Sequence, residues 1–162
     1  MVISIKKIKK REKHIFDKLF QLYLHDISLS LPMDVNKEGI FDCASLNSYI
    51  DDEINRCSFF IMANNKYIGF ALIDKRIFNT YELTMLFILN SYKSKGIGRL
   101  IAFDLFNMFE GNWEIKPTPH SKRAKKFWEM VIKEYTNNKY IIESDTTYMF
   151  NSERVKVDIN LI

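Results

Sequence analysis

The stretch LFILNSYKSKGIGRLIAFDLF, residues 86–106, changes its hydrophobic period in the middle. It begins as a continuous apolar run, which is typical of a buried strand, and ends with apolar residues three and four positions apart, which predicts a helix. Between the two halves lies a short loop with three cationic residues and two glycines, residues 93–99. The stretch therefore predicts a strand, a glycine-bearing cationic turn and a helix, in that order.

The turn before a helix is suited to binding an anion. The first backbone amides of a helix have no intrahelical acceptor, and the helix dipole adds partial positive charge at the same end. Gly96 and Gly98 would let a phosphate approach the main chain closely, while Lys93, Lys95 and Arg99 add positive charge. The loop therefore predicts a diphosphate site, although the hexapeptide alone is equally compatible with an ordinary helix entry.

Two familiar phosphate-binding motifs do not fit this loop. A P-loop requires lysine after its last glycine, and Gly98 is followed by Arg99. A dinucleotide-binding fingerprint requires a third glycine, and Ile101 occupies that position. What remains is the pattern Lys93-x-x-Gly96-x-Gly98.

The rest of the chain predicts an α/β protein in which strands outnumber helices. With 162 residues, 5 glycines and 3 prolines it has no low-complexity linker, so we expect one domain over residues 1–162. The predicted elements are a strand at 2–8, a helix at 10–28, a short helix within 46–54, a hairpin around Asn64 and Asn65, a strand at 81–89, the helix after the glycine loop, a strand at 112–117, a helix that starts near Pro119, and late strands at 139–144, 147–151 and 155–162.

The formal net charge of +4 is too small to indicate a nucleic-acid-binding protein. The densest basic run, KKIKKREK at residues 6–13, has two interpretations. It could contact RNA or a membrane surface, or it could be the exposed side of a strand end and a helix start, which is the interpretation we favour. We therefore expect neither a nucleic acid nor a membrane among the partners.

The two cysteines, Cys43 and Cys57, match no metal-binding spacing and no CxxC motif, so no metal is expected. So few thiols are typical of a reducing compartment, where they behave as small apolar groups. The N-terminal cations are not followed by a long apolar segment, and no window approaches the ~18 apolar residues of a membrane span. The sequence therefore predicts a cytoplasmic protein.

Residues 58–135, about half of the chain, resemble the GNAT superfamily of N-acetyltransferases. The superfamily motif is an apolar strand, then Arg/Gln-x-x-Gly-x-Gly/Ala, then a helix, and Lys93 stands here at its first position. A strand and a helix marked Asn-x-x-Ala follow in the superfamily, and NWEI at 112–115 and SKRAKKFW at 121–128 occupy those places. The upstream LPMDVNKEGIFD, residues 31–42, is similar to a loop of a bacterial subgroup. The resemblance implies a mixed, mostly antiparallel central sheet, flanked by helices and splayed between its fourth and fifth strands.

The same resemblance implies that acetyl-CoA is the co-substrate. Its diphosphate would bind main-chain amides of the glycine loop, and its pantetheine arm would run between the fourth and fifth strands. A main-chain amide there would also polarise the thioester carbonyl. The residues implied to bind acetyl-CoA are Phe87, Ile88, Leu89, Lys93, Ser94, Lys95, Gly96, Ile97, Gly98, Arg99 and Ser121.

Two positions depart from the superfamily pattern. Trp128 stands where many members have a tyrosine that protonates the leaving thiolate, so the usual general acid is missing. Ser121 stands where the family often has asparagine. Water can replace the acid, because a thiol with a pKa of about 8.5 is a tolerable leaving group. We favour packing of Phe127 and Trp128 on the sheet over a contact with the co-substrate.

The attacking amine must lose a proton, and the resemblance implies a base near the start of the fourth strand. Glu82 is the candidate for that position. A buried carboxylate can have its pKa raised toward neutrality, which suits a general base. The alternative is a solvated glutamate at a strand end, and the residue pattern alone favours this second interpretation.

An acidic segment, residues 34–53, lies within this net basic chain. Its DVNKEG motif, at 34–39, imitates half of a calcium loop, but the twelfth position is Ser45 instead of glutamate, so we reject calcium. The resemblance implies that the connection after the first helix lines the acceptor side, where acidic walls would favour a cationic amine. An ordinary solvated loop is the alternative. The acidic residues are Asp34, Glu38, Asp42, Asp51, Asp52 and Glu53.

The expected function is acetyl transfer from acetyl-CoA to a primary amine, on a small molecule or a protein, by direct attack in a ternary complex. The motif holds no cysteine, so a covalent acetyl-enzyme is not expected. The alternative is a non-catalytic acyl-CoA-binding sensor of the same fold. A homodimer, with residues 155–162 as an edge or exchanged strand, is implied by analogy alone.

Overall fold

The computed structural model of the chain describes residues 1–42, 48–144 and 146–159. Within these residues, seven strands form one sheet in the spatial order β1-β2-β3-β4-β5-β7-β6. The strands are β1 (Ile3–Lys7), β2 (Arg56–Ala63), β3 (Lys66–Arg76), β4 (Thr80–Ile88), β5 (Asn112–Ile115), β6 (Ile141–Glu143) and β7 (Thr147–Asn151). Neighbouring strands pair antiparallel except β4 and β5, which are parallel. The mixed, mostly antiparallel sheet predicted from the sequence is confirmed.

Helices cover both faces of this sheet. One core lies between the sheet and α3, α4 and α5, and it buries Trp113 completely. A second core lies on the opposite face beneath α1 and α2, where Phe16 and Phe20 pack against Phe70 of β3. The α-helices of the described residues are α1 (Lys13–Ile27), α2 (Ser48–Asp51), α3 (Ile97–Met108), α4 (Lys122–Thr136) and α5 (Ser152–Ile159).

The parallel strands β4 and β5 separate after only three paired positions. Thr80–Glu82 of β4 pair with Asn112–Glu114 of β5, and the remainder of β4, Leu83–Ile88, has no partner on that side in the described sheet. A wedge therefore opens between the two strands toward the start of α3. This splay between the fourth and fifth strands is the one predicted from the sequence.

An irregularity in β4 lies where the wedge begins. The register with β3 shifts there, because Leu72 faces Met85 whereas Ile73 faces Leu83, which leaves Thr84 as the extra residue. The Thr84 hydroxyl donates a hydrogen bond to the Leu72 carbonyl at 3.0 Å. It also accepts one from the Tyr49 hydroxyl of α2 at 3.2 Å. The bulge is therefore held by side chains as well as by the strand ladder.

The β2–β3 hairpin forms as predicted. Asn64 and Asn65 occupy its turn with φ angles of 47° and 63°, a region that asparagine tolerates better than most residues. The first helix, the helix after the glycine loop and the strands at β5, β6 and β7 are also confirmed.

The start of α4 differs from the prediction. The helix begins at Lys122 and not near Pro119. Ser121 is its N-cap, since the Ser121 side chain accepts a hydrogen bond from the Ala124 amide at 3.2 Å. A serine hydroxyl satisfies a first-turn amide, which proline at the first helical position cannot do, so the cap fixes the boundary.

The predicted strand at 155–162 is wrong for the residues that the structure describes. Residues up to Ile159 belong to helix α5, and 160–162 lie outside the described part of the chain. The Asn151 side chain accepts a hydrogen bond from the Arg154 amide at 3.1 Å, which is an N-cap. This cap starts a helix immediately after β7, and it outweighs the alternating pattern that predicted a strand.

Two residues used in the sequence predictions, Cys43 and Ser45, lie outside the described residues. Cys57 is a free, buried thiol in β2. In the described ranges, none of the helices has both the length and the apolar character needed to cross a bilayer.

Candidate functional site

A cavity of about 850 Å³ occupies the wedge between β4 and β5. One wall is the separated half of β4, and the opposite wall runs from Lys116 along α4 as far as Glu134. The start of α3 closes the outer end, and the C-terminal end of α1 covers one side. The cavity is therefore an elongated slot that connects a helix start with an unpaired strand edge.

The start of α3 leaves its first backbone amides available. Gly96 is the N-cap residue, with φ +75°, and among the described residues no side chain caps this helix. The amides of Ile97, Gly98 and Arg99 are the first three of the helix and have no intrahelical acceptor. Because all three residues line the cavity, their amides lie at its edge and suit an anion.

Gly98 also sets the distance between α3 and α4. A Cβ atom at this position would lie 3.1 Å from the Phe127 ring and 3.6 Å from Ile88. A larger residue at this position would therefore require the Phe127 ring to shift by a few tenths of an ångström. Phe127 forms part of the cavity wall, and its ring packs edge-on against Trp128 with centroids 4.9 Å apart.

The cationic side chains of the glycine loop are already engaged by protein groups. Lys93 forms an ion pair with Asp26 of α1. Arg99 pairs with Glu134 of α4 at 2.6 Å. Lys95 donates a hydrogen bond to the Ser91 carbonyl at 2.9 Å. The main-chain amides, more than free positive side chains, thus give this loop its capacity for an anion.

Most residues expected to bind acetyl-CoA line the cavity: Phe87, Ile88, Lys93, Ser94, Gly96, Ile97, Gly98, Arg99 and Ser121. Leu89 and Lys95 are not part of its lining. The Leu89 amide donates to the Ile68 carbonyl of β3 at 2.8 Å, so it points away from β5. The structure thus brings the predicted strand, loop and helix start into one cavity, with these two residues at its margin.

Glu82 lies at the closed end of the wedge. The residue is only 8% exposed, and its carboxylate pairs with Arg76 and, at 3.3 Å, with Lys116. Glu114 is directly opposite on β5 and pairs with the same two cations. Of these four charged residues only Lys116 lines the cavity. Glu82 therefore lies behind Lys116 and contacts it, but does not itself line the cavity. The interpretation as a solvated strand-end glutamate does not fit this burial.

Trp128 is buried at 8% exposure in the core beneath α4, and it also forms part of the cavity wall. An indole ring offers an N–H donor but no group that titrates near neutrality. Ser121 lies at the cavity rim, where its hydroxyl caps α4. Trp128 thus packs in the core, and Ser121 caps a helix.

The acidic segment does not line the described cavity. Asp51 and Glu53 pair with lysines of the N-terminal basic run, at 3.7 and 2.8 Å. Asp42 and Asp52 bond to neighbouring asparagine side chains. Most of these acidic side chains are thus engaged within the N-terminal region. They give no support to the expectation that this segment selects a cationic acceptor.

Charged cavity residues that were missed from the sequence include Asp26, Lys116 and Arg123. Asp26 is 67 positions before its partner Lys93, and no local pattern joins them. Lys116 follows β5 directly, so the expected splay could have indicated it. Arg123 lies inside the SKRAKKFW segment, where one cation among four gave no reason to single it out.

The model of the "Acetyltransferase (GNAT) family" matches residues 17–135, which is well over half of the chain. The chain belongs to the GNAT acetyltransferase family. Membership assigns it to the acetyltransferases that use an acyl-CoA donor, and it agrees with a fold whose parallel β4–β5 pair splays beside a glycine-bearing helix start.

Solved structures with this fold are numerous but distant in sequence. The PaiA N-acetyltransferase of Thermoplasma acidophilum, in complex with coenzyme A, is 14% identical, with a TM-score of 0.64 over 93% of this GNAT chain and 99% of that chain. The aminoglycoside acetyltransferase AAC(6′)-Ib, also with coenzyme A, is 12% identical, with a TM-score of 0.66 over 98% and 99%. An acetyltransferase of Thermus thermophilus is 14% identical, with a TM-score of 0.66 over 93% and 97%. Among curated proteins, none matches the sequence.

Proposed function

We propose that the protein is an acetyl-CoA-dependent N-acetyltransferase that transfers the acetyl group to a primary amine by direct attack in a ternary complex. One observation carries the proposal: a single cavity joins the uncapped first turn of α3 to the unpaired edge of β4. The first feature suits a diphosphate, and the second suits an extended chain with amide groups.

The diphosphate of acetyl-CoA would be held by the amides of Ile97, Gly98 and Arg99. These amides have no side-chain cap among the described residues, and at Gly96 the space that a Cβ would occupy is open, which leaves room for a phosphate to approach the main chain. Strong anion binding does not require the side chains of Lys93 and Arg99, which already have carboxylate partners.

The pantetheine arm would lie along the separated half of β4. Backbone groups of Leu83–Ile88 that face the wedge have no strand partner in the described sheet, and such an edge readily pairs with an added extended chain. Six strand residues span roughly 17 Å, at about 3.3 Å per residue. The Thr84 bulge at the end of this run re-aims the backbone where the thioester would lie.

Proton transfer would use groups at the closed end of the wedge. Glu82 is the candidate to take up a proton from the attacking amine, and its pairing with Lys116 joins it to the cavity. The leaving thiolate needs no strong acid, because a thiol pKa of about 8.5 allows protonation by water. Cys57 is buried in β2 and does not line the cavity, which agrees with direct attack on the thioester.

A second candidate function is acyl-CoA sensing without turnover. It is favoured by one specific observation, namely that Trp128 fills the wall position where a general acid would be expected. Glu82 is also held by two cations, which reduces its availability as a base.

Calorimetry with coenzyme A, followed by release of free thiol from acetyl-CoA in the presence of a panel of amines, tests both candidates. The panel should include a polyamine, an aminoglycoside and a lysine-containing peptide. We expect binding of coenzyme A and amine-dependent thiol release. Binding without release on any amine would favour the sensor, and lack of binding would contradict both.

A further inference from the structure

The cations around the donor cavity are not equivalent. Lys93, Arg99 and Lys116 each pair with at least one carboxylate of the protein. Arg123, in the first turn of α4, also lines the cavity, and its side chain is exposed. Among the side chains that the structure describes, none forms an ion pair or a hydrogen bond with its guanidinium. Arg123 is therefore available to a ligand in a way that the other three cations are not.

The position of Arg123 follows from how α3 and α4 lie side by side. Gly98 faces Phe127 near the start of α3, and Asn107 accepts a hydrogen bond from Tyr135 at 2.9 Å near its end. The contacts run in the same order along both helices, so the helices run in the same direction. Arg123 precedes Phe127 by four residues, about 6 Å along the axis, and so lies beyond the start of α3 at the cavity mouth.

We propose that Arg123 binds the 3′-phosphate of coenzyme A and makes the protein discriminate coenzyme A from 3′-dephospho-coenzyme A. This assignment rests on the proposed function, since it takes the cavity to be the donor site. It adds a specificity-determining residue for the nucleotide end of the donor.

A side-chain partner suits the 3′-phosphate better than the backbone amides at the starts of α3 and α4 do. The amides at the start of α3 are matched to the diphosphate. At the start of α4, the Ala124 amide is already bonded to the Ser121 hydroxyl. A guanidinium at the cavity mouth can donate two parallel hydrogen bonds to a phosphate, a geometry that lysine cannot reproduce. Among the cavity groups, the Arg123 guanidinium thus best fits the 3′-phosphate.

The experiment is calorimetric titration of the wild-type protein and of Arg123→Ala with coenzyme A and with 3′-dephospho-coenzyme A, at one ionic strength. We expect wild type to bind coenzyme A about tenfold more tightly than the dephospho form, the effect of a charge-assisted hydrogen bond. Arg123→Ala should lose that tenfold preference while its affinity for the dephospho form changes less than about twofold. Lys126→Ala, on the same helix but not part of the cavity lining, should retain the preference.

The outcomes separate this inference from the function on which it rests. Equal binding of the two ligands by wild type, or an equal loss for both in Arg123→Ala, would overturn the assignment while leaving the donor site intact. No binding of either ligand would overturn the proposed function together with it. Arg123 is exposed, so the variant should fold, and a thermal unfolding curve like that of wild type checks this.

Discussion

Two helices begin at the same cavity, and they begin in different ways. Helix α4 is capped by Ser121, whose side chain accepts a hydrogen bond from the Ala124 amide at 3.2 Å. Helix α3 starts after Gly96, which has no side chain to offer and adopts φ +75°. A serine cap typically stabilises a helix by about 1 kcal/mol. None of the described side chains provides such a cap for α3.

The difference shows what each helix start does. The cap on α4 satisfies its amide within the protein, so that end contributes to stability. The first amides of α3 have no hydrogen-bond acceptor among the described residues and lie at the cavity. An anion that binds there would form those hydrogen bonds, which would make its binding favourable. The charged side chains near α3 also leave its first amides accessible. Lys93 is paired with Asp26 and Arg99 with Glu134, so these cations do not fill the space in front of the helix.

Gly98→Leu should produce the largest effect, because it disturbs the place where the two helices meet. A Cβ there lies 3.1 Å from the Phe127 ring, so a larger side chain would push α3 away from α4 and fill the cavity. We expect affinity for coenzyme A to fall by more than about 100-fold, measured by calorimetry. In Gly98→Leu/Phe127→Ala, the space released by the ring should restore part of the affinity. An unchanged affinity in the single variant would contradict the placement of the donor.

Ser121→Ala removes the cap of α4 and should lower the free energy of unfolding by about 1 kcal/mol in urea denaturation. Ser121→Asp provides the matched comparison, since aspartate is an equally good cap. It should retain the stability but weaken coenzyme A binding, because it places a negative charge at the cavity rim. Equal stability of wild type and Ser121→Ala would show that the cap is not what fixes the start of α4.

The far ends of the same helices are joined by Tyr135, which donates a hydrogen bond to Asn107 at 2.9 Å. Burial raises the pKa of Tyr135 from 10.0 to about 12. A raised pKa means that its contribution to stability is complete below pH 10 and is lost as pH rises toward 12. Tyr135→Phe should cost about 1 kcal/mol near neutrality and show less alkaline destabilisation across that window than wild type. If wild type and Tyr135→Phe had identical stability–pH curves above pH 10, ionisation of Tyr135 would not be a cause of the alkaline loss of stability.

Asp26→Asn should give the smallest effect, and it tests the charge balance in front of α3. Release of Lys93 from its ion pair should tighten coenzyme A binding about threefold at low salt, and the gain should vanish at high salt. Asp34→Asn makes the same charge change at an exposed site that does not line the cavity. If both variants bind equally, the pairing of Lys93 has no influence on the donor site.

The features that could be predicted from the sequence are those determined locally. The strand, the glycine turn and the helix at residues 86–106 form as expected because period, glycine positions and apolar spacing act within a few residues. The splay of β4 from β5 was expected from the resemblance, and the candidate cavity lies in it.

The features that could not be predicted depend on distant partners or on competing local signals. The Asp26–Lys93 pair joins residues 67 positions apart, so the free cations expected in the loop turned out to be engaged. At the C-terminus, the alternating pattern at 155–162 indicated a strand, but the Asn151 cap starts a helix. An N-cap hydrogen bond fixes the backbone at one point, whereas alternation matters only if a neighbouring strand is present to receive it.

The central claim is that unsatisfied amides at the start of α3 bind the diphosphate of coenzyme A. Gly96 and Gly39 allow a matched test, because their φ angles are +75° and +74° and neither would bring a Cβ within 4 Å of another atom. Gly96→Val and Gly39→Val should therefore be destabilised to a similar extent by the left-handed backbone. In calorimetry with coenzyme A, we predict that wild type and Gly39→Val bind alike and that Gly96→Val binds at least about tenfold more weakly. No heat with wild type, or equal affinities for the two variants, would contradict the claim.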